Sequence, residues 1–127
     1  MFYLVESSKS FYEATFDLEP VVQRLGFVVL KVHHLGEPRP GKAVDLDDDC
    51  QVFEVCNDRL SGKMLAFDMR LSLTLPWRIS VFTRNGATWI GLLRPVVLLA
   101  AFSQEAELVK LAQEVEEKLK QIVDETR

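Results

Sequence analysis

Asn85-Gly86 is the residue pair that most restricts how this chain can fold. A two-residue hairpin loop needs positive φ at its central positions, which Asn and Gly reach at the lowest steric cost. The flanking segments, Ile79-Ser80-Val81-Phe82-Thr83 and Thr88-Trp89-Ile90-Gly91-Leu92, are rich in β-branched and aromatic residues, so two antiparallel strands meet at this turn. The turn also sets their register. It places Thr83 opposite Thr88, Val81 opposite Ile90 and Ile79 opposite Leu92. Side chains alternate along a strand, so this apolar set faces a core under helices. Arg78, Ser80, Phe82 and Arg84 then face away, beside Leu93, Gly91, Trp89 and Ala87. Phe82 and Trp89 fall directly across from each other.

Residues 1–5 alternate as an opening strand. Ser10 and Glu13 have capping-box spacing, and Phe11, Ala14, Leu18, Val21, Val22 and Leu25 recur at helical intervals up to Gly26, a left-handed stop. Pro20 removes a helical hydrogen bond, which predicts a kink or a restart capped by Asp17. Residues 27–33 read as a strand. Gly36-Glu37-Pro38-Arg39-Pro40-Gly41 reads as a surface loop, prolonged by the acidic run 45–49. Residues 51–56 form the next strand, and Asn57 or Asp58 caps a short helix to about Ala66. Leu75-Pro76 breaks what precedes it. A last helix starts at Ser103, with Leu108, Leu111, Val115, Leu119 and Ile122 as its stripe and Glu114/Lys118 and Glu116/Lys120 pairs on its wet side. The order is β-α-β-β-α-β-β-α, a single α+β domain over residues 1–127 in which helices pack on a mainly antiparallel sheet.

The same alternation puts Val28, Leu30 and Val32 inward, and Val29, Lys31 and His33 on the second face. Phe53 and Val55 read inward, leaving Val52, Glu54 and Cys56 outward. The second face thus mixes large rings with Lys31, His33, Glu54 and Arg78. A solvated sheet face does not ordinarily carry a Phe–Trp pair. Two covers fit: a second copy of the chain, packed sheet to sheet, or a small ligand for which this face is the floor, partly closed by the 34–49 loop.

Bulk properties narrow the function class. An apolar fraction of 48% and a charged fraction of 27% over 127 residues are those of a globular chain. The longest apolar run, Val96 to Phe102, is far short of the ~20 residues that span a bilayer. Phe2 to Val5 is apolar, but Glu6 and Lys9 follow at once, so no secretory leader is expected. Two cysteines make no disulfide framework, which points to a reducing, cytoplasmic setting. A net charge of −4 argues against nucleic acid as partner. Residues 59–94 nevertheless hold 6 basic side chains and one acidic, against 5 and 11 in residues 1–58. This basic middle complements the acidic flanks, within the fold or across a dimer.

No self-sufficient catalytic or cofactor motif occurs. Cys50 and Cys56, on one strand, lie ~20 Å apart, beyond disulfide reach. Cys56 ends a strand just before a helix, where exposed amides stabilise a thiolate, although cysteine is more often a buried, inert residue. His33 and His34 point to opposite faces and cannot chelate one metal together. The Asp45, Asp47, Asp48, Asp49 run lacks the glycine and closing glutamate of a calcium loop. Gly86 and Gly91 are assigned to hairpin geometry. Three functions fit these residues. The first is a non-catalytic, homodimeric binding module whose ligand site draws on Lys31, His33, Glu54, Cys56, Asn57, Arg78, Phe82 and Trp89. The second is a thiol-dependent enzyme or redox protein in which Cys56 is the nucleophile, Asn57 orients, and Arg78 or His33 lowers the thiol pKa. The third is a structural interaction subunit. No metal site and no particular cofactor is expected.

Phe53-Glu54-Val55-Cys56-Asn57, Leu75-Pro76-Trp77-Arg78-Ile79-Ser80-Val81, and Ile90-Gly91 through Arg94-Pro95 together resemble the domain of unknown function 302 family of bacterial and archaeal proteins. The resemblance runs from the Ser10 helix through Gly26-Phe27-Val28-Val29-Leu30 to the final helix. It implies a two-layer, TATA-binding-protein-like arrangement: one curved sheet, helices on one side, often a dimer, and no established activity. Relatives commonly have proline after the Cys-Asn pair, where this chain has Asp58, and often a second cysteine where it has Trp77. Any role the two cysteines share in relatives is therefore halved here.

Overall fold

The computed structural model describes residues 1–36 and 48–127. In chain order its elements are β1 (Phe2–Ser7), α1 (Phe11–Arg24), β2 (Val28–His34), β3 (Cys50–Cys56), α2 (Asp58–Phe67), a 3-10 helix (Met69–Thr74), β4 (Trp77–Arg84), β5 (Ala87–Leu93), α3 (Pro95–Ala100) and α4 (Ala106–Thr126). The strands form one sheet in the order β1-β5-β4-β3-β2, each pair antiparallel. The fold is α+β, with the helices on one side of this sheet.

The β4–β5 hairpin closes as its turn residues dictate. Asn85 and Gly86 have φ of 53° and 80°, and Thr83↔Thr88, Val81↔Ile90 and Phe82↔Trp89 are register partners. Ile79, Val81, Ile90 and Val55 are fully buried, and Leu92 and Phe53 nearly so. Against them pack Leu18 and Val22 from α1, Leu60 and Met64 from α2, and Leu108, Val115, Leu119 and Ile122 from α4. This is the core.

Local chemistry fixes the helix ends. Ser10 Oγ accepts from the Glu13 amide at 3.1 Å while Glu13 Oε1 accepts from the Ser10 amide at 3.5 Å, the reciprocal pair of a capping box. Gly26, at φ 86°, stops α1. The expected restart at Asp17 does not occur: α1 runs unbroken through Pro20. Pro20 and Phe16 both lie on its exposed side, so the carbonyl that proline leaves without a donor opens to water.

Three expectations are corrected. In β2 the register shifts between Val29 and Lys31, the mark of a β-bulge, and alternation resumes with opposite parity. Val29 therefore packs on the core and Val28 and Leu30 are exposed, the reverse of simple alternation, while Val32 stays inward and Lys31 and His33 outward. On α4, Glu116 is not on the wet side but 6% exposed. Its Oε2 accepts from Arg94 Nε and Nη2 at 3.2 and 3.1 Å and from Lys120 Nζ at 3.1 Å, and its Oε1 from the Val96 amide at 3.1 Å. The unforeseen α3 folds over this carboxylate. Glu114 reaches instead to Arg59 of α2. Gly91, finally, is required by its neighbour strand. A Cβ there would meet the Tyr3 carbonyl oxygen at 2.8 Å and Leu4 Cδ1 at 2.7 Å. The expected loop and acidic run fall mostly on residues 37–47, outside the described residues, though Asp49 is tied to β4 through its amide and Thr83 Oγ1 at 2.9 Å.

Candidate functional site

The helix-free face of the sheet can be read rung by rung from the register. One rung crosses Lys31, Glu54 and Arg78 on β2, β3 and β4. The next crosses His33, Val52, Ser80, Gly91 and Leu4. A third crosses Cys50, Phe82, Trp89 and Glu6. The face therefore has a polar corner at the β2–β3 edge and an apolar field toward β1.

In the polar corner the Glu54 carboxylate contacts His33 Nε2. That hydrogen bond, outweighing the cost of partial burial and helped by the charges of His33, Arg78 and Lys31, holds the Glu54 carboxyl below the usual carboxylate range. The four sequence-chosen polar residues thus converge. Among the described residues, no three His, Cys, Asp or Glu side chains converge to hold a metal ion.

The apolar field holds the expected Phe82 and Trp89, both half-buried, and two residues that sequence reasoning missed, Phe2 and Leu4 of β1. Phe2 is 65% exposed and Leu93, across from it, 54%. No turn fixes which strand β1 joins, and Phe2, Tyr3, Leu4 and Val5 are all apolar, so period two had no contrast to reveal. Two adjoining depressions, each of about 340 Å³, lie either side of Leu4 and Phe82. One runs along Phe2, Leu93, Val52 and Gly91 to Ser80 and Arg78. The other holds Trp89, Ala87, Asn85 and Arg84. A larger depression of about 840 Å³ lies on the other side of the sheet, between α1 and the β2–β3 edge, lined by Tyr12, Phe16, His34 and Phe53. It is wide open, and of its acidic side chains Asp17 is paired with Lys9 at 2.9 Å and Glu13 caps α1.

Cys56, two residues along β3 from Glu54 and of the same parity, borders the polar corner but is remote from the apolar field, and Asn57 follows it. Cys56 lies six residues along β3 from the rung of Phe82, ~20 Å away. Its Sγ is 3.6 Å from Asp58 Oδ1 and 3.5 Å from Ser61 Oγ. His33, four residues off in register and bound to Glu54, does not reach it. Asn57 has both ends occupied: Oδ1 accepts from the Leu60 amide at 3.0 Å, capping α2, and Nδ2 donates to the Gly26 carbonyl at 2.9 Å. The Cys-Asn pair thus joins two elements. Cys50, the other thiol, has its pKa raised by burial.

Comparison with known proteins agrees with this architecture. The model of a family described as domain of unknown function DUF302 matches residues 3–126. Three solved chains match, among them the crystal structure of an uncharacterized conserved DUF302 protein from Bacillus stearothermophilus, 28% identical over 99% of this chain and 98% of that one, with a TM-score of 0.92. No curated protein matches.

Proposed function

The chain belongs to the domain of unknown function DUF302 family, and from that premise we propose that it is a non-catalytic binding module, working as a homodimer, whose helix-free sheet face takes a second copy and a small ligand. One observation carries this reading. A single chain leaves Phe2, Leu4 and Leu93 exposed and Phe82 and Trp89 half-exposed on one face of the sheet, beside a corner that carries both signs of charge. Contiguous apolar surface of this kind marks an interaction site. A two-fold axis through the face sets each copy's apolar field against the other's, and the mixed corner supplies charges of opposite sign for such an arrangement.

Cytoplasmic location is supported by two free thiols. None of the described helices is long and apolar enough to cross a membrane. The net charge of −4 disfavours a nucleic-acid partner.

Thiol chemistry at Cys56 is the alternative, favoured by the position of its sulfur at the start of α2 beside Ser61. It is the weaker reading, because Asn57 is already bound at both ends and, among the described residues, the thiol meets the Asp58 carboxylate and the Ser61 hydroxyl but no histidine or arginine. Sedimentation equilibrium decides the main reading. A dimer that dissociates on Phe82→Asp, with the far-ultraviolet spectrum unchanged, is the expected result. A wild-type monomer in which alkylation of Cys56 follows a thiolate titration well below pH ~8.5 would transfer the function to the thiol.

A further inference from the structure

We propose that the depression between β1 and β4 on the helix-free face is a site for an amphipathic carboxylate, its apolar chain lying along Leu93, Phe2, Leu4 and Phe82 and its head group on Arg78. The proposal rests on the reading of that face as a binding surface and names the class of ligand, its chain enclosed between the trough and the second copy.

The floor comes first. Gly91 lies at the bottom, and β5 is flanked by β1 on one side and β4 on the other. Its backbone amides and carbonyls are used by the two ladders, so the floor offers a ligand no hydrogen bond. Gly91 itself raises no side chain, and the space a Cβ would take there is closed by the Tyr3 carbonyl and by Leu4 Cδ1, which makes the floor apolar. The walls are Phe2, Leu4, Leu93, Val52 and Phe82. Whatever lies there is apolar along its length.

The end of the trough is different. Arg78 and Ser80 are the polar side chains of its lining apart from Tyr3, whose hydroxyl is bound to Asp124. Arg24, Arg59, Arg70, Arg94 and Arg127 each hold a carboxylate or a carbonyl. Arg78, like Arg84 at the hairpin tip, has no hydrogen-bond or ion-pair partner among the described residues. Its register partner Glu54 is hydrogen-bonded by His33 and meets Arg78 through charge alone. With Lys31 on the far side of Glu54, the corner carries two fixed positive charges against one negative. A planar guanidinium beside a hydroxyl that has no partner among the described residues suits a carboxylate, which it can bind through two parallel hydrogen bonds. The volume of about 340 Å³ corresponds to room for roughly ten water-sized groups, hence a medium-length chain.

The test uses the full chain and decanoate below its micelle concentration, with 10-bromodecanoate as a quencher of tryptophan emission. Trp89 lies past the far end of the trough, in the adjoining depression, whereas Trp77 is buried in the core. A Trp89→Phe variant identifies which ring is quenched. Saturable quenching of Trp89 is expected, with decanol at least about tenfold weaker. Arg78→Gln should erase that tenfold preference and leave decanol binding as it was, while Arg84→Gln changes neither. Equal binding of decanol and decanoate, or no effect of Arg78→Gln, overturns the proposal. Acrylamide separates this failure from failure of the underlying reading. If Trp89 is shielded in the protein alone and decanoate has no effect, the carboxylate site is wrong and the covered face stands. If Trp89 is freely quenched and decanoate has no effect, both fall.

Discussion

The two faces of this sheet are built from the same five strands, yet they meet different fates. On one, Ile79, Val81 and Ile90 are sealed under α1, α2 and α4. On the other, Ser80, Phe82 and Trp89, one residue along, remain partly in water. Strand propensity does not distinguish them, since both rows are rich in residues that favour strands. The difference lies in what is available to cover each. The helices supply enough apolar stripe for one face. The other keeps rings and aliphatic side chains that a merely solvated face would replace with polar ones. On this difference rests the proposal that a partner or ligand covers the open face.

Mutations can break or sharpen this contrast. Ile79→Ala, on the sealed face, should cost about 3–4 kcal/mol in chemical denaturation, because it empties core volume that nothing fills. Leu93→Ala on the open face should change the unfolding free energy of the isolated chain by less than ~1 kcal/mol. Equal costs would mean that the faces are not different in kind. Glu116→Ala should cost about 3 kcal/mol, as it leaves Arg94, Lys120 and the Val96 amide without their acceptor. Burial works against the Glu116 carboxylate, but hydrogen bonds from Arg94, Lys120 and Val96 outweigh it and depress its pKa. The stabilisation is therefore present above the unfolded carboxyl value of about 4.3 and lost as pH falls through the folded value, so mutant and wild type should converge in acid.

Gly91→Ala tests the exception, a residue of the open face that must behave like core. Its added methyl has to displace β1, at roughly 2 kcal/mol, read as a drop in melting temperature. Asn57→Ala should cost about 1 kcal/mol through loss of the α2 cap. Unchanged stability would free Asn57 for a chemical role beside Cys56. The smallest effect is electrostatic: in His33→Ala, the Glu54 carboxyl should titrate higher than in wild type by carbon-13 NMR, since its main support is the His33 hydrogen bond.

The hairpin was legible because Asn85-Gly86 is short enough to fix both turn and register, and with them the outward aim of Phe82 and Trp89. The Ser10 cap, the Gly26 stop and the α4 stripe were equally plain, each being a local pattern. The bulge in β2 was not, because nothing in Val28-Val29-Leu30 distinguishes a regular strand from a bulged one. The burial of Glu116 was hidden by its own i,i+4 lysine, which fits a solvated helix as well as a buried carboxylate. α3 is six residues long, too few for a helical period to repeat. Of the candidate site, Lys31, His33, Glu54 and Arg78 come together because their parity agrees on three neighbouring strands. Cys56 shares that parity but lies too far along β3 to join Phe82 and Trp89.

A soluble paramagnetic relaxation agent tests the central claim most directly. If the helix-free face is covered in the working protein, the Leu4 and Leu93 methyls and the Trp89 indole should be about as protected as Ile79 and Ile90. If they broaden as strongly as the methyls of Leu73, which is 87% exposed elsewhere on the surface, the face is bare. The account of what this protein does would then be wrong.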